Sequence, residues 1–109
     1  MTTQQLIALE DQVLLGTYAR PDFVISHGNG SYLYDLEGKA YLDFVSGIAV
    51  CAFGHTDEPS RYVLARQAEK LWHCSNLYHT EPQVKLAELL VQHTFADKAF
   101  FCNSGAEAI

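Results

Sequence analysis

Ala99-Phe100-Phe101-Cys102-Asn103-Ser104-Gly105-Ala106-Glu107-Ala108-Ile109 closes the chain, and its reading decides the fold. An apolar run, a small polar turn and a helix-forming tail predict a buried strand, a turn and the first turn of a helix. That order belongs to an α/β protein. The first N–H groups of such a helix have no internal partner and share the positive end of its dipole. Gly105 and Ala106 leave the backbone open to approach, and Ser104 adds a hydroxyl donor, so the turn is a candidate phosphate site. Ser104-x-x-Glu107 is equally a capping box, in which Glu107 folds back onto the Ser104 N–H and no ligand is needed. From these residues alone both readings stand. Neither a GxxxxGK[ST] loop nor a GxGxxG turn occurs.

Working outward, Thr3 to Tyr18 has helical periodicity, with Leu6, Leu9, Val13 and Leu14 gathered on one side. Pro21 breaks it. Ser31–Asp35 and Ala40–Phe44 flank Leu36-Glu37-Gly38-Lys39, which predicts a β-hairpin with Gly38 at the position needing positive φ. His27-Gly28-Asn29-Gly30 reads as an earlier turn, and Ser46–His55 as a packed loop. Pro59 suits the first turn of a helix carrying Leu64, Ala68, Leu71 and Trp72 as its stripe. A further helix is predicted from Pro82 to His93, with Glu81 and Lys85 spaced as a favourable pair. Between the two helices, residues 73–80 are polar and aromatic without periodicity.

The 109 residues suffice for one small domain. Half of them are apolar and 18% are charged, so this is no disordered tail. A net charge of −6 with no basic run opposes binding to nucleic acid or to an anionic membrane surface. No apolar stretch approaches a membrane span, and Met1–Leu6 lacks the layout of a secretory or organelle signal. The expected location is cytoplasmic. Cys51, Cys74 and Cys102 are odd in number and scattered, which fits reduced thiols. His55, His73, Cys74, His79 and Cys102 lack CxxC or HExxH spacing, so no metal site is expected.

Phe100–Ala108 closely resembles the segment that holds the cofactor phosphate in class III pyridoxal-phosphate aminotransferases of the ornithine/acetylornithine type. The resemblance extends to Gly30–Asp35 with Gly38–Phe44, to Ser46–Val50 with Gly54-His55-Thr56, and to Gln67–His73 with Ser75–Thr80. The last two stretches are similar to the acetylornithine branch in particular. After Thr56 the family commonly continues His-Pro, whereas this chain has Asp57-Glu58-Pro59.

The resemblance implies a fold-type I transferase, and for this chain its N-terminal segment: an N-terminal helix, a hairpin or small sheet, two helices, then the first strand of the large domain. Residues 1–97 would be small-domain segment and 98–109 the start of the large, cofactor-binding domain. It implies pyridoxal 5'-phosphate as cofactor, amino-acid and 2-oxo-acid substrates, and a homodimer. The implied activity moves an amino group from N-acetylornithine to 2-oxoglutarate in arginine biosynthesis. Succinylornithine, ornithine and 4-aminobutyrate transaminases are the alternatives. Ser104, Gly105 and Ala106 would meet the phosphate, and Ile48, Asn76, Leu77 and Tyr78 would lie near the substrate channel.

Catalysis of this kind also needs a nucleophilic lysine beside the cofactor. Lys39, Lys70, Lys85 and Lys98 all read as solvated surface charges, so no catalytic residue is assigned and the 109 residues alone are expected to be inactive. Isolated helices shorter than about 12–15 residues are marginal in water, so weak or absent cofactor binding is expected as well. A non-catalytic, subunit-like interaction protein is the remaining reading.

Overall fold

The computed structural model describes residues 1–109 and divides into two compact units, Met1–Lys70 and Leu71–Ile109. In the first unit, α1 (Thr3–Val13) is started by a capping box: Thr2 Oγ1 accepts the Gln5 N–H, and Gln5 Oε1 accepts the Thr2 N–H. The helix was expected to reach Tyr18 but stops at Val13, because Leu14 turns extended. Gly16 is the local reason, since glycine disfavours continuation by about 1 kcal/mol relative to alanine.

Three antiparallel strands follow in the order β1-β2-β3: β1 (Ile25–Asn29), β2 (Tyr32–Asp35) and β3 (Ala40–Leu42). The β2–β3 hairpin is the one predicted, and Gly38 takes φ +83° in its turn. Asp35 fastens that turn. Only 5% exposed, its carboxylate accepts the N–H groups of Glu37 (3.0 Å) and Lys39 (2.8 Å) and the Tyr41 hydroxyl (2.8 Å). Burial would raise its pKa, but these donors outweigh burial and hold it below the usual carboxylate value. Of the residues read as a turn, His27, Gly28 and Asn29 instead belong to β1, with His27 stacked on Tyr34 at 4.7 Å, while Gly30 does turn, at φ +56°. The strand was hidden because its own residues carry no apolar alternation; the backbone ladder to β2 makes it.

Ser46–Ala49 (α2) is a single turn, described with the site below. Helix α3 (Glu58–Ala68) begins at Asp57, whose carboxylate accepts both the backbone N–H and the hydroxyl of Ser60, and Pro59 sits in the first turn. It ends at Ala68, so Leu71 and Trp72 lie beyond the stripe predicted for them.

The second unit holds α4 (Glu81–His93), with Pro82 in its first turn and the expected Glu81–Lys85 ion pair. The Glu81 carboxylate raises the Lys85 pKa. The chain ends in α5 (Gly105–Ala108). The strand predicted before it does not form: residues 99–103 belong to no strand, and Phe100 is 79% exposed. A strand needs a neighbour for its N–H and C=O groups, and nothing in this chain supplies one. Cys102 is exposed for the same reason. In neither unit is an apolar side chain fully buried.

Candidate functional site

The most unusual backbone in the molecule lies between Asp43 and His55. Ser46, Gly47, Ile48 and Ala49 have φ of 51°, 63°, 60° and 64°, four consecutive residues in the left-handed region. Each residue with a side chain costs about 1–2 kcal/mol there, so Ser46, Ile48 and Ala49 together cost about 3–6 kcal/mol. Three backbone bonds close the turn: Ala49 N–H to Val45 O (3.0 Å), Val50 N–H to Ser46 O, and Cys51 N–H to Ser46 O (2.8 Å). Side-chain packing does not hold it, since residues 47–50 are exposed and Ile48 is 86% exposed. Strained backbone of this kind clusters at binding and switch sites.

Asp43 and His55 bracket this stretch. Asp43 Oδ1 accepts the N–H groups of Val45 (2.9 Å) and Ser46 (3.0 Å), while Asp43 Oδ2 lies 2.7 Å from His55 Nε2. The hydrogen bond to the His55 ring, aided by the two backbone donors, lowers the Asp43 pKa. His55 is fixed in turn by a pair of backbone bonds with Gly30, at 2.8 and 3.0 Å. Sequence reasoning did not pair these two residues. A carboxylate and an imidazole twelve positions apart form no local pattern; only the sheet brings them together.

In the second unit, His73, Ser75, Asn76, Phe101, Cys102 and Asn103 line an open cleft of about 280 Å³. The cleft therefore joins the aperiodic segment at 73–80 to the residues directly before the candidate phosphate turn. Of the predicted channel residues in this unit, Asn76 lines the cleft, whereas Leu77 and Tyr78 are exposed and do not line it. Ile48 belongs to the first unit.

At the turn itself only half of the expected capping box forms. Ser104 Oγ accepts the Glu107 N–H (3.3 Å), but the Glu107 carboxylate takes the Asn103 N–H (2.9 Å) and the Ser104 hydroxyl (3.0 Å) rather than the Ser104 N–H. Ser104 is extended, at φ −148° and ψ 158°, as the N-cap of α1 also is. The N–H groups of Gly105 and Ala106 make no hydrogen bond within the chain. A Cβ added to Gly105 would meet nothing within 4 Å. Two unpaired donors with open space before them fit the phosphate end of a cofactor. The Glu107 carboxylate is the one element of the set that repels an anion.

Comparison with known proteins follows this geometry closely. The family model Aminotransferase class-III matches residues 17–109. The chain belongs to that family. Over 98 residues it is 52% identical to the succinylornithine transaminase of Yersinia pseudotuberculosis, covering 90% of this chain and 24% of that protein. Over 108 residues it is 51% identical to the acetylornithine aminotransferase of Gloeobacter violaceus, covering 99% of this chain and 26% of that one. The crystal structure of acetylornithine aminotransferase from Elizabethkingia anophelis superposes with a TM-score of 0.94 at 29% identity, over 99% of this chain and 28% of that chain. This class III aminotransferase chain thus spans about a quarter of the length of its relatives. Its fold is that part of a fold-type I transferase, and the family cofactor is pyridoxal phosphate.

Proposed function

We infer that this chain serves a transaminase that moves an amino group from N-acetylornithine to 2-oxoglutarate in arginine biosynthesis, acting as a cytoplasmic homodimer. The carrying observation is the class III aminotransferase match over residues 17–109, taken with 51% identity to an acetylornithine aminotransferase over nearly the whole chain. Pyridoxal phosphate, when bound, supplies the aldehyde that accepts and returns the amino group.

The chain's own residues contribute binding and shape. The N–H groups of Gly105 and Ala106 hold the phosphate, with the Ser104 hydroxyl as a third donor. That hydroxyl is engaged by Glu107, so phosphate binding displaces the Glu107 carboxylate from it. Ile48 supplies an apolar wall for the methylene stem of the donor, and Asn76, Leu77 and Tyr78 flank the channel from the 73–80 segment. On this reading residues 98–109 open the cofactor-binding domain and 1–97 belong to the small domain. The 109 residues alone lack the chemical centre and are inactive.

N-succinylornithine is the second donor to consider, supported by the 52% identity to the Yersinia enzyme. Both donors are N-acylated ornithines, and they differ in the length and charge of the acyl end. The deciding experiment replaces the matching segment of the Gloeobacter violaceus enzyme with this chain and follows glutamate formation from 2-oxoglutarate. N-acetylornithine is expected to give the highest kcat/KM among N-acetylornithine, N-succinylornithine, ornithine and 4-aminobutyrate. A chimera that binds cofactor yet prefers ornithine or 4-aminobutyrate overturns the assignment.

A further inference from the structure

We propose that Asp43 and His55 form a clasp whose task is to hold the left-handed Ser46–Ala49 turn closed and so to position Ile48. As a positioning role toward substrate, this rests on the reading of Ile48 given above.

The case is geometric. Of the left-handed residues Ser46 is half-buried while Gly47, Ile48 and Ala49 are exposed, so packing does little to stabilise the run and it must be held from its ends. The entry end is gripped by Asp43, whose Oδ1 accepts the N–H groups of Val45, which leads into the turn, and of Ser46, its first residue. The Asp43 N–H is itself bonded to Ser31 O at 2.9 Å, which ties the grip to the hairpin. The exit end is anchored by the backbone pair between His55 and Gly30 and by the Thr56 hydroxyl, which donates to Gly28 O at 3.1 Å. The Asp43–His55 contact at 2.7 Å joins the two ends across the base of the loop. Both side chains are largely shielded, at 7% and 17% exposure, where such a bond is stronger than in water.

Gly28 provides an independent sign that this contact is built. A Cβ placed there would sit 2.6 Å from both Cβ and Cγ of His55. Any larger residue at position 28 would force the His55 side chain to shift. Position 28 lies on β1, in mid-strand, where glycine is otherwise a poor choice. Three elements distant in sequence therefore converge on one hydrogen bond: the end of the hairpin, β1 and the segment after the loop.

The test measures amide exchange in the 109-residue chain, at Ala49 and Cys51, whose N–H groups close the turn. Losing a hydrogen bond to a charged group predicts about ten-fold or greater acceleration at these two amides in His55→Ala. Gly28→Ala, which leaves both partners of the clasp in place, is expected to do the same by displacing the ring. His55→Gln, whose side-chain amide can reach Asp43, should restore most of the protection. Amides of the β2–β3 ladder should keep wild-type rates throughout. Unchanged exchange at Ala49 and Cys51 in His55→Ala overturns the proposal. So does loss of protection shared equally by the turn and the ladder, or coil-like exchange of the turn in the wild-type chain. No substrate enters this measurement, so the clasp can fail while the Ile48 assignment survives, and the reverse.

Discussion

Gly38 and Gly54 provide an internal control for how the first unit is held together. Both have strongly positive φ, +83° and +88°. They differ in what surrounds them. A Cβ on Gly38 would meet nothing within 4 Å, whereas one on Gly54 would lie 2.9 Å from Gly30 O. Gly38→Ala therefore carries only the left-handed penalty, about 1–2 kcal/mol. Gly54→Ala carries the same penalty plus displacement of Gly30, whose two backbone bonds to His55 are worth about 0.5–1.5 kcal/mol each. The sum is about 2–5 kcal/mol. Local opening free energies from amide exchange at Gly30 and His55 read this directly. Gly54→Ala should abolish most protection there, while Gly38→Ala should leave it intact and loosen only the hairpin turn. Asparagine, which tolerates left-handed backbone, should largely rescue position 38 and fail at position 54. Equal effects of the two alanines, or rescue of both sites by asparagine, would refute the claim that contact with Gly30 distinguishes them.

Further outcomes follow from the site. Glu107→Gln should tighten binding of inorganic phosphate at Gly105 and Ala106 by about two- to five-fold, the scale of one charge at a helix terminus, read from amide shifts in a phosphate titration. Shifts confined to other residues would refute the assignment. In the chimeric enzyme, Ile48→Ala should raise the KM for N-acetylornithine about 15- to 50-fold, because two to three buried CH₂ groups at about 0.8 kcal/mol each are lost. An unchanged KM would remove Ile48 from the channel. The pKa values of Asp35, Asp43 and Asp57 are lowered in the folded chain, so their stabilising effect is complete above the unfolded carboxylate pKa of about 4 and disappears as pH falls through the folded values. Circular dichroism during acidification should show this loss below about pH 4, and Asp35→Asn should flatten it. A transition centred near neutrality would contradict the assignment to these carboxylates.

The elements legible in the sequence were those whose signals are local. Pro59 and Pro82 each marked a helix start, Gly38 marked the hairpin turn, and Glu81–Lys85 marked a helix face. Strand β1 escaped because it is defined by its pairing with β2 and not by its own residues. The left-handed turn escaped for the opposite reason: Ser46, Ile48 and Ala49 are not residues that favour positive φ, so nothing in the text of the chain announces it. The Ser104–Ala106 turn was legible as a helix start, and the Ser104 cap on Glu107 is formed. The strand at 99–103 was over-read. Its apolar run is real, but a strand is a relation between two segments, and an apolar pattern alone cannot supply the second.

The handedness of residues 46–49 has a consequence for how this enzyme family can vary. Ordinary surface loops lengthen and shorten freely over evolutionary time. This one cannot. Each residue of an inverted coil advances the chain in the opposite rotational sense, so one insertion would swing Ile48 to another side and pull residue 55 out of step with residue 43. The interval between the two should thus be among the most length-invariant stretches of the chain, even where its letters change.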